Sequence, residues 1–192
     1  MIRELKNFSE QLIKMFQIFY PYEYAESVFA LDYEKIFRAG YRGIIFDIDM
    51  TLVPHGADST KKVENLFKEI HNAGLKTFLL SNNDEDRVKS FAKHLDTPYI
   101  FNAEKPDTKN YLCAVEMMEL QKNQVIFVGD QIFIDIYGAN RSGLANILVK
   151  YVTEREEKNI GIRRNVEKII LKLYSWSNYQ HRLGNIFKNG GN

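Results

Sequence analysis

Four aspartates, one lysine and two hydroxyl side chains draw attention because each follows a short apolar run. Asp47, Asp49 and Thr51 close the stretch GIIFDIDMT, and Ser81 and Asn82 end the run LKTFLLS. Lys105 and Pro106 come shortly after PYIFN, Asp130 ends QVIFVGD, and Asp135 follows five residues later. If these runs are parallel strands of one sheet, their carboxyl ends share an edge, and that edge is where ligands collect in open α/β sheets. Four carboxylates there repel one another, and a packed interior does not hold them uncompensated. A divalent cation and a lysine would resolve the repulsion.

Each residue also has a plainer reading. Asp47 and Asp49 alone could be turn residues, Ser81 a strand-end turn former and Lys105 a surface lysine. Asp135 could cap a helix expected over 134–142. Cys113 stands with Leu112, Val115 and Met118 in a helical pattern, which reads as packing. His55, His71, His94 and His181 have no metal-type spacing.

The elements that would position these residues are legible. Nearly continuous apolar runs at 43–48, 75–81, 98–102, 124–130 and 145–150 predict strands covered on both faces. Amphipathic patterns at 60–73, 85–94, 108–120 and 134–142 predict the helices between them. The alternation predicts a three-layer, Rossmann-like α/β sandwich with a mostly parallel sheet and right-handed crossovers. Ser59 or Thr60, Asp84, and Asp107 or Thr108 are the expected helix starts, and Gly74 a stop. Residues 1–40 read as an N-terminal helical extension packed on the core, with helices at 3–18 and 32–39 and a turn at Tyr20, Pro21 and Tyr22. Residues 41–151 form the catalytic core. Residues 152–192 give a helix near 162–175 and a polar tail ending NGGN.

The chain has 192 residues, enough for one domain with a sizeable core. Lys+Arg is 26 against Asp+Glu 25, which excludes a strongly basic, histone-like protein. One cysteine forms no intramolecular disulfide, which fits a reducing compartment. No apolar stretch is long enough to span a bilayer, so a cytoplasmic protein, at most peripheral to a membrane, is expected. The aromatics lie within the expected strands and helices rather than in a basic groove, so nucleic acid is not favoured as a partner.

DIDMT, SNN, KP and GDQIFID, in that order, resemble the four motifs of the haloacid dehalogenase (HAD) superfamily of phosphohydrolases. The resemblance implies an HAD-like phosphatase working through an aspartyl-phosphate with Mg²⁺. Asp47 would be the nucleophile, Asp49 the general acid and base, and Lys105 the neutralising cation. Thr51 and Ser81 would hold phosphoryl oxygens, helped by backbone N–H groups near Ile48 and Asn82. Asp47, Asp130, the Asp49 carbonyl and Asp135, directly or through water, would hold the metal. These roles agree with what Mg²⁺ and phosphoryl transfer require, a few oxygen ligands and careful charge neutralisation. Thr51 to Ser81 spans 30 residues and Ser81 to Lys105 spans 24, room for a helix and a strand each but not for a cap domain. A capless site suits a bulky or macromolecular substrate or a lipid headgroup.

A narrower resemblance covers roughly residues 18–175. The segment YPYEYAESVFALDYEKIFRAGYRGIIFDIDMTLVP, with GANRSGLANILV and RRNVEKIIL, is similar to the YqeG family, itself similar to mitochondrial phosphatidylglycerophosphate phosphatases. It implies a phosphorylated lipid headgroup as substrate. The family usually has Asn where this chain has Met50. Asn140 and Arg141 match a family pair, and Arg141 is a candidate to place a substrate phosphate or order the loop bearing Asp130 and Asp135, or else a surface arginine at a helix C-terminus. Residues 161–192 carry six basic side chains against Glu167 alone, which leaves the preceding 160 residues net acidic. Such a segment suits an anionic membrane or plain solvent equally. The apolar residues of the terminal helices are expected to pack on the domain. A capless phosphatase for a soluble or macromolecular ester, and a non-catalytic module of the same fold, stand as alternatives.

Overall fold

A computed structural model of the chain describes residues 11, 15–152 and 162–188. Most of the helix expected at 3–18 and the closing NGGN lie outside the described residues.

The sheet has six strands: β1 (Glu23–Ala25), β2 (Gly43–Phe46), β3 (Lys76–Leu80), β4 (Tyr99–Ile100), β5 (Val125–Gly129) and β6 (Ala145–Val149). Their spatial order is β1-β6-β5-β2-β3-β4, and every pairing is parallel. The five expected strands are present, and β1 is an addition. Its three residues pair with Ile147–Val149 at the sheet edge. The signal was too short to read, because three residues give barely one period of alternation.

The helices are α1 (Tyr33–Arg38), α2 (Lys61–Asn72), α3 (Glu85–Ala92), α4 (Thr108–Met117), α5 (Tyr137–Ser142) and α6 (Ile162–Ser175). Side-chain oxygens of Thr60, Asp84 and Asp107 each accept a first-turn backbone N–H and so begin α2, α3 and α4. Gly74 follows α2 at φ +89°, a backbone conformation that disfavours a Cβ. Ile44, Phe46, Leu79, Ile126, Val128 and Ile147 point into the larger core, against Leu66, Phe67 and Phe91. On the other face Ile45, Phe78 and Phe127 pack against Tyr111, Ala114 and Ala139. Burial on both faces is why these strands read as unbroken apolar runs.

The chain beyond α6 returns to the N-terminal segment. Leu31 and Phe187 form an antiparallel bridge, Asp32 N–H donates to Ile186 O at 2.8 Å, and Lys188 N–H donates to Ala30 O at 3.0 Å. Ile186 and Leu183 enter the main core. The tail expected to be polar is therefore folded through residue 188, because its spaced apolar side chains bury.

Among the described residues, no helix is long and apolar enough to cross a membrane.

β2 leads into a tight turn in which the N–H groups of Thr51, Leu52 and Val53 all point at Ile48 O. Met50 sits there at φ +65°. Asn tolerates this left-handed conformation better than Met does, which accounts physically for the family's usual residue. Met50→Asn should raise unfolding stability by about 0.5–1 kcal/mol, read from urea denaturation with an unchanged slope.

Candidate active site

β2 lies at the centre of the sheet, between β5 and β3, and successive crossovers leave it in opposite directions. The crevice at its carboxyl end is the topological switch point. Asp47 extends β2 by one residue, its N–H donating to Val128 O at 2.9 Å. Asp130 ends β5 alongside.

Lys105 binds the cluster together. Its Nζ lies 2.6 Å from Asp47 Oδ1 and 2.8 Å from Asp135 Oδ1, and all three side chains are buried. Thr51 Oγ1 donates to Asp47 Oδ2 at 3.0 Å and lies 3.5 Å from Asp130 Oδ1. Carboxylate oxygens of Asp47, Asp130 and Asp135 all fall within 4.8 Å of one another. Burial pushes the Asp47 carboxyl up to about 6, with Lys105 opposing and Asp135 adding to the rise. Burial disfavours the Lys105 ammonium, but Asp135 and Asp47 outweigh it and hold its pKa above the ordinary lysine value.

Asp135 sits in a π-helical turn, Ile132–Ile136, before α5. Its Oδ2 accepts the N–H of Gln131, four residues upstream, at 3.0 Å. An N-cap accepts from downstream amides, so the capping alternative falls away. The Tyr111 hydroxyl supports the turn from below by donating to Ile134 O at 2.9 Å. Gly129 makes room for it: a Cβ there would lie 2.5 Å from Asp135 Cβ and Cγ.

Ser81 is buried at the end of β3, and its Oγ accepts from both the Asn83 N–H (3.2 Å) and the Asn83 amide (2.9 Å). The Asn82 side chain does not point to the cluster as a phosphate ligand. It clasps the Lys105 backbone, accepting the Lys105 N–H at 2.8 Å and donating to Lys105 O at 3.1 Å. Arg141 is not brought to the site. α5 leaves the carboxyl edge and runs back toward the start of β6, so its last turn carries Arg141 to the opposite edge. There Arg141 is exposed, its guanidinium 5.4 Å from the Tyr137 ring. Asn140 instead fastens the N-terminal segment, donating to Ile18 O and Tyr20 O at 2.8 and 3.0 Å.

The Asp49 carboxylate is not among the three that converge. Its Oδ1 accepts from Arg87 Nη2 and the Gly56 N–H, both at 2.9 Å, and its Oδ2 accepts from the Asn83 amide. Burial would raise its pKa, but these donors together lower it below the usual carboxylate value. The exposed His55 ring lies 3.9 Å from the same carboxylate. Sequence reasoning missed Arg87 and Asn83. A signal for Arg87 existed: a cation in the first turn of a helix opposes the helix dipole, and so calls for a nearby anion.

The chain belongs to the haloacid dehalogenase-like hydrolases and is a phosphatase. The family model for haloacid dehalogenase-like hydrolases matches residues 57–143, which include Ser81, Lys105, Asp130 and Asp135. The chain is 37% identical over 156 residues to the Bacillus subtilis (strain 168) protein named "Probable phosphatase YqeG", covering 81% of this chain and 91% of that one. It is 25% identical over 176 residues to the chloroplastic/mitochondrial phosphatidylglycerophosphate phosphatase 1 of Arabidopsis thaliana, covering 85% of this chain but only 50% of that protein. Among solved structures it is similar to a cobalt-bound deoxy-D-mannose-octulosonate 8-phosphate phosphatase from Haemophilus influenzae, with a TM-score of 0.46, 13% identity, and coverage of 73% of this chain and 92% of that one.

The all-oxygen set of Asp47, Asp130 and Asp135 fits a hard divalent cation. Without one, ionising Asp47 is unfavourable in the folded state. A carboxyl whose folded pKa is raised contributes stability below its unfolded pKa and loses it as pH climbs through the folded one. In EDTA, stability should therefore fall between about pH 4 and 6. Asp47→Asn should remove that slope, read from thermal melts across this pH range with and without Mg²⁺.

Proposed function

We propose that this phosphatase hydrolyses the phosphomonoester of a glycerolipid headgroup, phosphatidylglycerophosphate, through an aspartyl-phosphate on Asp47. The observation that carries the chemistry is the Asp47 carboxylate itself, buried, held by Lys105 and Thr51, and adjacent to Asp130 and Asp135. Asp47 Oδ attacks phosphorus, and the P–O bond to the alcohol breaks. Asp49, which must take up a proton as the phosphoryl group's negative charge arrives beside it, gives that proton to the departing oxygen. Water then attacks the aspartyl-phosphate and passes a proton to Asp49, which releases phosphate and restores both carboxyl groups. Lys105 neutralises charge on Asp47 and on the transferring group, and Thr51 and Ser81 hold phosphoryl oxygens. Asp47, Asp130, Asp135 and the Asp49 carbonyl would hold Mg²⁺, which when bound adds positive charge beside the phosphoryl oxygens. Holding the Lys105 backbone is the part the structure suggests for the Asn82 side chain.

Two observations support the lipid reading. The first is the similarity to the Arabidopsis phosphatidylglycerophosphate phosphatase. The second is the outer face of α6. Its inner side buries Glu167, Ile170 and Tyr174, but Val166, Ile169 and Trp176 are 38%, 60% and 65% exposed. Of the apolar residues expected to pack on the domain, Tyr174 is buried and Leu171 and Leu173 pack against the same cluster, while Trp176 departs. Lys168 and Lys172 flank the stripe, and Lys172 Nζ lies 5.3 Å from the Trp176 ring. Apolar side chains between lysines suit the interface of an anionic bilayer. Glu167, on the inner side of the same helix, accepts the N–H of Ile132 at 3.0 Å, which ties that helix to the turn bearing Asp135.

In a phosphate-release assay with Mg²⁺, phosphatidylglycerophosphate in detergent should be turned over and Asp47→Asn should abolish release. Turnover of soluble esters alone would reject the lipid substrate in favour of a capless phosphatase for soluble compounds. Ile169→Glu with Trp176→Ala should weaken co-sedimentation with anionic vesicles roughly tenfold, about the loss of one buried large side chain, without lowering the melting temperature. Equal binding by the variant would remove α6 as the contact.

A further inference from the structure

We infer that Arg87 is a positioning residue that sets the orientation of Asp49 for proton transfer. The inference rests on the reading of Asp49 as the general acid. Arg87 reaches the site from α3, two residues into the helix. Nη2 makes two bonds, to Asp49 Oδ1 at 2.9 Å and to Ala57 O at 2.7 Å. It therefore joins the acid to the loop that follows it and ties both to the helix after β3. Asn83 completes the arrangement by linking Asp49 Oδ2 to Ser81 Oγ, the hydroxyl expected to hold phosphate. A carboxylate fixed at both oxygens has one orientation relative to Ser81. With Arg87 absent, Oδ1 would keep the Gly56 N–H alone, and the loop would lose its tie at Ala57.

The ion pair with Asp49 stabilises the folded state, but it uses only part of the guanidinium. Arg87 is largely buried, yet its Nε and Nη1 have no hydrogen-bond partner among the described residues. A buried donor without a partner is destabilising, and that cost offsets part of what the ion pair with Asp49 contributes. The first turn of a helix is also the wrong end for a cation. Phe91, whose ring centre lies 5.4 Å from the guanidinium carbon, makes the pocket hospitable to a methionine. A side chain kept against both penalties, with its bonded nitrogen on the acid and the acid's loop, is placed for what it does to the acid.

The test is the leaving-group dependence of the first chemical step, because an aryl oxygen that departs as a stable anion needs no proton and a more basic one does. Single-turnover cleavage of phenyl phosphate and 4-nitrophenyl phosphate would be followed in the full chain with Mg²⁺. Arg87→Met should lower the ratio of phenyl to nitrophenyl cleavage tenfold or more, with KM for both within about threefold. Arg87→Lys should recover part of the ratio, and Arg87→Met in an Asp49→Asn background should add nothing. Loss of both substrates in proportion, or no change in the ratio when Asp49→Asn does change it, would overturn the role of Arg87 alone. If Asp49→Asn leaves the ratio intact, Asp49 is not the acid and both readings fall together. Should Arg87→Met melt early, Arg87→Lys and Arg87→Gln carry the same comparison.

Discussion

The Lys105 ammonium, held between the Asp47 and Asp135 carboxylates, is the contact on which the rest of the site depends. Each of the three groups would be costly to bury alone. Together they close a small electrostatic circuit in which Lys105 keeps its charge and the carboxylates accept its protons. The circuit also dictates local sequence. Asp135 reaches Lys105 because its turn is π-helical, supported by Tyr111 and pressed against a glycine at position 129. Lys105 reaches both acids because Asn82 clamps its backbone N–H and C=O. Three loops from three strands are thus fixed by one ammonium.

The circuit is short of positive charge by design of its chemistry. Lys105 meets two carboxylates, while Asp130 brings a third to within reach of a shared ion. A site balanced without metal would have no affinity for one, and a site with no lysine would be too repulsive to fold. Burial first, and Asp135 beside it, raise the Asp47 carboxyl to about 6 although Lys105 opposes them. On the proposed mechanism, a bound cation and phosphoryl group would complete the neutralisation that the protein's own charges leave unfinished.

What was legible in the sequence follows from how locally each feature is encoded. Asp47, Ser81 and Asp130 end apolar strands, and a parallel sheet brings strand ends together whatever the loops do. That much can be read from period and order. The role of Asn82 was not legible, because a side chain that clasps a backbone leaves no mark on composition. Arg141 was singled out by a family pair, which carries no information on direction, and the structure leaves it exposed beside the Tyr137 ring. β1 was hidden by its brevity. Asp49 was visible as a candidate acid, but its partner Arg87 lies 38 positions away, on a helix whose periodicity concerns only Val88 and Phe91. Contacts between a loop and the polar side of a distant helix turn have no periodic signature, and they require coordinates.

The terminal segments change meaning once they are seen to meet. Leu183 and Ile186 bury beside Val28 and Leu31, and Tyr20 packs with Ile170 and Tyr174. The Arg182 guanidinium lies 3.4 Å from the centre of the Tyr22 ring, close enough for a cation–π contact. α6 is therefore held from its inner face, from the segment after it, and through Glu167 to the turn that carries Asp135. A helix fastened in this way cannot turn its exposed Ile169 and Trp176 inward, since Ile170 and Tyr174 would have to leave the core to allow it. Exposure of that stripe is then a property of the folded state rather than of a loose end. On the proposed lipid reading, a rigid apolar and basic face tied through Glu167 to the turn that carries Asp135 would help select the substrate where no cap domain does.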